Sequence, residues 1–339
     1  MQGSDIVNRE KVYKNLYTTD DEIFVSKSPF SAFENKEDEE LVYRGRTSPI
    51  SMEDIMMNVK CGFVKLEGDG IDLEILKALN ELEYATSRMI TIYLNLLGIE
   101  VKQKKIHNRL RYLNGKKIIS SYEFQSKDED GNIKSSHVPN YFLDRAGAMI
   151  LNSWDVPCYW DEGDTIKPKH GIKEILARNQ LMLTYLVKIN NIRYTKIHPM
   201  YKLSNGDVFY PDLQIVFDSE NGTQYLFFEV IRNFNGWENK LVRMLEQYRS
   251  FYKNFIPSKK IPNIPILIIV SENDPHSYNA LKEIAKNQIV IPEIEYLFTT
   301  DTRVISSEIN RSIVKFEPKE NEISIIVLNF SLFEIANKK

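Results

Sequence analysis

From Ile71 onward the apolar positions of the chain fall on a helical period. Ile71, Ile75, Leu76, Leu79 and Leu82 form one stripe, and Met89, Ile90, Tyr93, Leu94 and Leu97 form a second that ends at Gly98. A third amphipathic stretch covers 102–114, with Ile106, Leu110 and Leu113 spaced to face a core and Gly115 as its stop. The pattern then changes to that of strands, at 118–124 and 138–143, joined by a polar stretch whose Asp130-Gly131 pair favours a hairpin. Three short helices followed by a hairpin have the size and order of a helix-turn-helix with a wing, and the sequence places this domain at 61–155. Residues 1–60 mix charges, Ser and Pro with short apolar runs such as Ile23-Phe24-Val25, and read as an N-terminal extension.

Pro157, Gly163 and Pro168 punctuate an aperiodic stretch that marks a domain boundary. Beyond it the pattern predicts a helix at 172–188, strands at 194–201, 208–217 and 225–231, a helix at 237–255, a strand at 265–270 and a helix at 277–287. Ile266 to Val270 is continuously apolar, as a strand buried on both faces would be, whereas 208–217 alternates. This is a mixed α/β domain, placed at 165–300. The remainder, 301–339, contains the strand candidate Ile323-Ser324-Ile325-Ile326-Val327-Leu328, whose partner the sequence does not reveal. The fold class is therefore α+β / α/β: an N-terminal winged helix-turn-helix, then a mixed-sheet domain.

Lys+Arg at 44 against Asp+Glu at 47 gives a net charge of -3, so the chain as a whole is no polycation and any nucleic-acid affinity must be local. One stretch qualifies. Lys102, Lys104, Lys105, Arg109, Arg111, Lys116 and Lys117 lie within 102–117, which holds no acid. At a helical period Lys104, Asn108 and Arg111 lie opposite the apolar stripe. Arg and Asn read base edges in the major groove and Lys binds phosphate, so Asn108 and Arg111 are assigned to bases and the Lys residues to the backbone of double-stranded DNA. The wing tip mixes Asp128, Glu129 and Asp130 with Lys127 and Lys134, a weaker phosphate surface. Cys61 and Cys158 are the only cysteines, which excludes a disulfide framework or a zinc site and fits a reducing cytoplasm. No window is apolar enough for a membrane span, and the N-terminus lacks a secretory pattern.

The second half carries a different chemistry. Asp212 follows Tyr210-Pro211, and Glu229 sits within Phe227-Phe228-Glu229-Val230-Ile231 on the next strand. Nucleases of the restriction-endonuclease class use such a pair, with Glu-x-Lys on the second strand, to hold Mg²⁺ and activate water; an acid on the preceding helix, here Glu174, would complete the metal set. Position 231 is Ile where that motif has Lys, and Arg232 points to the other strand face. A migrated Lys240 is the candidate replacement, giving Asp212, Glu229 and Lys240 as the catalytic group of an active nuclease. In the competing reading, Asp212 caps a turn and Glu229 pairs with Arg232 or Arg243.

Taken together, Phe142-Leu143-Asp144-Arg145-Ala146-Gly147-Ala148, Ala177-Arg178-Asn179-Gln180-Leu181, Tyr210-Pro211-Asp212 and Phe227-Phe228-Glu229-Val230-Ile231-Arg232 resemble the replication-relaxation family of plasmids and integrative elements. The resemblance, over 71–284, implies that the Leu-x-x-x-Gly-Ala element closes a winged helix and that the Asn-Gln helix opens a restriction-endonuclease-like domain. It also implies a Tyr on the helix after the Glu strand, matched by Tyr248. The expected function is DNA binding in replication, transfer or transcriptional control of a mobile element, without enzymatic activity or a required cofactor, Mg²⁺ entering only with an active nuclease. Replication or conjugation proteins are the expected partners beside DNA, and a homodimer is compatible with the sequence. Two alternatives remain: a Mg²⁺-dependent endonuclease, and a winged-helix module that recruits a protein partner without touching DNA.

Overall fold

A computed structural model describes residues 33, 39–45, 51–62, 64–65, 70–127, 130, 132–136, 139–158, 160–203, 206, 208–220, 222–257, 261–305, 309–318, 323–328 and 333. It is a mixed α+β protein whose described residues divide into two compact units, one from 39 to 179 and one from 180 onward that includes Phe33.

The first unit runs β1 (Glu39–Arg44), α1 (Met52–Lys60), α2 (Asp72–Leu82), β2 (Tyr84–Thr86), α3 (Ser87–Leu96), α4 (Gln103–Gly115), β3 (Ile119–Lys127), β4 (Ile133–Ser136), β5 (Asn140–Leu143), α5 (Arg145–Ser153) and the first half of α6 (Lys169–Lys188). The stripes seen in the sequence form its core: Ile75, Leu76, Leu79 and Leu82 from α2, Met89, Ile90 and Leu94 from α3, and Ile106, Leu110 and Leu113 from α4 are buried. Each such side chain contributes about 1.5–3 kcal/mol by leaving water. Thr86 caps α3 by accepting a hydrogen bond from the Met89 N–H at 3.3 Å. Gly98, at φ +82, ends α3 in the left-handed region. The antiparallel sheet has the order β1-β3-β5-β2, with β4 also on β3. Gly147 of α5 is needed for close approach, since a Cβ there would lie 2.9 Å from the Ile118 carbonyl.

Two parts of the extension belong to this unit. All six residues of β1 pair with β3, Tyr43 packs on Tyr122 with ring centroids 5.4 Å apart, and Glu39 forms a buried ion pair with Lys173 of α6. Helix α1 begins with a capping box between Ser51 and Asp54 and buries Ile55. The boundary stretch is also tied down: Trp160 Nε1 donates to the Leu143 carbonyl at 3.0 Å and Tyr122 to that of Thr165 at 2.6 Å. The division between units falls within α6, at 179/180, not in the punctuated stretch. Residues 128, 129 and 131 of the wing tip lie outside the described residues.

The second unit continues α6 and adds β6 (Ile192–Ile197), the short pair β7 (Tyr201–Lys202) and β8 (Val208–Phe209), β9 (Leu213–Ser219), β10 (Gly222–Val230), α7 (Trp237–Lys253), β11 (Ile266–Ser271), α8 (Asp274–Lys286), β12 (Leu297–Thr300), α9 (Asp301–Ile305), β13 (Val314–Pro318) and β14 (Ile323–Val327). Its seven-stranded mixed sheet has the order β14-β13-β12-β11-β10-β9-β6, parallel only across β10, β11 and β12. The apolar run of β11 is central and buried, as its composition predicts. Phe227, Tyr248 and Phe251 pack on one sheet face, and Tyr185 meets Phe228 edge-on at 5.4 Å on the other. The first two predicted strands are shorter than their patterns suggest. His198 at φ 44 and the prolines at 199 and 211 turn the chain out of the sheet, leaving β7 and β8 as a separate hairpin. The segment after 301 completes the sheet, with β14 antiparallel to β13.

Candidate functional site

The placement of α4 is set by the turn before it. Asn95, buried at the end of α3, donates to the Val101 carbonyl at 3.0 Å and accepts from the Val101 N–H at 3.3 Å, clamping the linker between the two helices. With Ile106, Leu110 and Leu113 fixed in the core, the opposite face must look outward. Lys102, Lys104, Lys105, Asn108, Arg111 and Lys117 are all exposed. They lie on α4 and the residues that flank it, a stretch from 102 to 117 that holds no acid.

Arg109 departs from this set. Its guanidinium is bound to the fully buried Asp72 of α2, Nε to Oδ1 at 2.9 Å and Nη2 to Oδ2 at 2.5 Å, and it stacks over Tyr112 at 4.6 Å. The hydrogen bond to Asp72 raises its pKa further, and the pair commits this guanidinium to a structural contact between α2 and α4. Asp72 was missed because its partner lies far along the chain. Lys116 is half-buried, 5.7 Å above the same Tyr112 ring.

In the second unit the register between β9 and β10, with Phe228 opposite Leu213, brings Asp212 and Glu229 together. Asp212 Oδ2 accepts from the Val230 N–H at 2.9 Å, and Glu229 Oε1 accepts from the Tyr248 hydroxyl at 2.7 Å. Burial drives the Glu229 carboxyl well above the usual carboxylate range; the neighbouring Asp212 charge adds to this, and the Tyr248 hydrogen bond opposes it. Arg232 is not the partner of Glu229: it is fully buried, and its Nη2 donates to both Asp301 carboxylate oxygens, at 2.8 and 3.1 Å. Arg243 and Lys240 are exposed on α7, Ile231 is buried, and Glu174 lies half-buried on the first-unit part of α6.

Among the described residues no three His, Cys, Asp or Glu side chains form a group able to hold a metal ion. One oxygen of each carboxylate already accepts a hydrogen bond, and the burial of Glu229 favours a proton over a bare charge. Mg²⁺ is commonly held by one or two carboxylates with water completing its octahedral shell, so holding it here would need an ionised Glu229. No family model matches this chain, and no curated protein matches it either. No helix among the described residues is long and apolar enough to cross a membrane.

Proposed function

We propose that the chain is a duplex-DNA-binding protein of a mobile genetic element, of the replication-relaxation type, acting in the element's replication, transfer or transcriptional control. The observation that carries this reading is the acid-free exposed face of α4, with Lys104, Asn108 and Arg111 side by side on a helix anchored by its opposite stripe. The order α2-β2-α3-α4-β3-β5 supports a winged helix in which α4 enters the major groove and its Lys residues hold phosphates. In the second unit the order α6-β6-β9-β10-α7-β11, with Asp212 and Glu229 on neighbouring strands, supports a restriction-endonuclease-like scaffold. There the Glu229 carboxyl, which burial pushes toward its protonated form, and Asp212 take no part in turnover.

The test is to incubate the protein with supercoiled and linear DNA, with and without Mg²⁺ or Mn²⁺, scoring retention and cleavage beside an Asp212→Ala/Glu229→Ala variant. Retention by both proteins without cutting is expected. Nicking by the wild type that the double variant lacks would promote the endonuclease, and Lys240→Ala would then test the migrated lysine. Failure to retain any duplex would transfer the function to protein recruitment.

A further inference from the structure

An open notch of 680 Å³ lies in the first unit where α4 meets β1, β3 and β5. Arg44 at the end of β1, His107 and Arg111 of α4, and Lys117 from the turn after α4 line it. Arg44, Arg111 and Lys117 are exposed. The turn is fixed, with Lys117 at φ 61 and Ile118 N–H bonded to the Leu113 carbonyl at 3.0 Å. Lys117 Nζ donates to the Gly45 carbonyl at 3.0 Å, leaving two ammonium protons for a ligand. Tyr141 forms part of the wall; burial pushes its phenol up to about 12, against the pull of Arg111, so it remains an O–H donor at neutral pH. One carboxylate faces in: Glu123 lies 3.8 Å from Arg44 Nε and accepts from the Gln125 amide at 3.2 Å. Three basic side chains against one acid leave the notch positive, and its Arg forks suit a tetrahedral oxyanion.

We propose that this notch binds the sugar–phosphate backbone of the duplex, so that Arg44 of β1 and Arg111 of α4 hold the same strand and Arg111 is a backbone contact, not a base reader. The inference rests on the DNA-binding reading of α4 and extends it to Arg44 and His107 and to the strand that the N-terminal segment adds. A backbone contact here would fix the register of α4 in the groove. Glu123, facing the phosphate, opposes binding.

The experiment measures binding of a short duplex across a range of salt concentrations for Arg44→Gln, Arg44→Lys, Glu123→Gln and Lys104→Ala, with a melting curve for each protein. Arg44→Gln should weaken binding about threefold to tenfold and flatten the salt slope by about 0.9. Arg44→Lys should restore the slope, and Glu123→Gln should tighten binding severalfold, a gain that misfolding cannot imitate. Wild-type affinity and slope in both Arg44→Gln and Glu123→Gln, with Lys104→Ala still impaired, would overturn the notch and leave the helix reading standing. Absence of duplex binding by the wild type would overturn both. In a second arm, stabilisation by inorganic phosphate over chloride at equal ionic strength, lost in Arg44→Gln without a change in DNA slope, would assign the notch to a free anion and overturn the proposal.

Discussion

The exposed face of α4 and the sheet of the second unit handle ionised groups in opposite ways. In the first, Lys102, Lys104, Lys105, Arg111 and Lys117 stand in solvent on one side of α4, where a charge costs little and is available to a partner. In the second, Arg232, Asp301, Glu229 and His276 are buried within or beside the sheet. A buried charge must be paired or neutralised, and both solutions appear: Arg232 has Asp301, whereas Glu229 is pushed toward its protonated form and His276 toward its neutral form. Residue type alone is thus a poor guide to role. Arg109 and Arg111, two positions apart on one helix, fall on opposite sides of this division.

The contrast is broken most directly by removing one arginine at a time. Arg109→Ala leaves the Asp72 carboxylate buried without its ion-pair partner and should cost about 3–5 kcal/mol of stability, whereas Lys104→Ala should stay within about 0.5 kcal/mol. Urea titration of both variants checks this, and equal losses would erase the distinction between structural and displayed cations.

The next effect is a pH dependence in the second unit. His276 packs edge-on against Trp237 at 4.7 Å, and burial, aided by the Arg232 charge, lowers its pKa to about 4. The unfolded chain takes up that proton near pH 6.5, before the folded one does. Stability present above about pH 6.5 is therefore lost as pH falls toward about 4, by about 3 kcal/mol, and His276→Leu should flatten this part of the curve. Glu229 has the opposite sign: its raised pKa favours the folded state at low pH and the benefit is lost as pH rises, so Glu229→Gln should stabilise more at alkaline than at acid pH. Melting curves from acid to mildly alkaline pH test both, and parallel curves for wild type and variants would sink the buried-charge account.

A smaller effect sharpens the view of the displayed face. Asn108→Ala should reduce the preference for specific over random duplex by about 1–3 kcal/mol with little change in non-specific affinity. Equal losses on both DNAs would make Asn108 a backbone contact. Smallest for each side chain is the phosphate term: the Lys104→Ala/Arg111→Ala double variant should flatten the salt slope by about 0.9 per residue while melting like the wild type. An unchanged slope would place the DNA contact off α4.

What the sequence disclosed follows from how local each signal is. The helix α4 was legible because Ile106, Leu110 and Leu113 keep a strict period and the charges between them are dense. The Asp212–Glu229 juxtaposition was legible because two adjacent strands carry it, and Tyr248 was indicated by resemblance. Strand β1 was not, since Glu39, Glu40 and Arg44 obscure its apolar positions and its pairing partner lies far along the chain. With three residues, β2 is too short to show any period. The Asp72–Arg109 pair spans 37 residues, so nothing local marks it, and β6 ends at a left-handed His198 before Pro199, a breaker that the apolar pattern of 194–201 outweighed.

Strand β1 has a last implication, for association between copies. It is the partner of β3 along Ser121 to Ser126, on the side away from β4 and β5. A chain shortened to start after Gly45 would keep every described helix of the first unit and yet leave that row of β3 amides and carbonyls open, a template on which a strand from another molecule can add. The native chain is protected because it supplies the missing strand itself, so a fragment cut at the start of the helical pattern would trade self-closure for concentration-dependent oligomerisation.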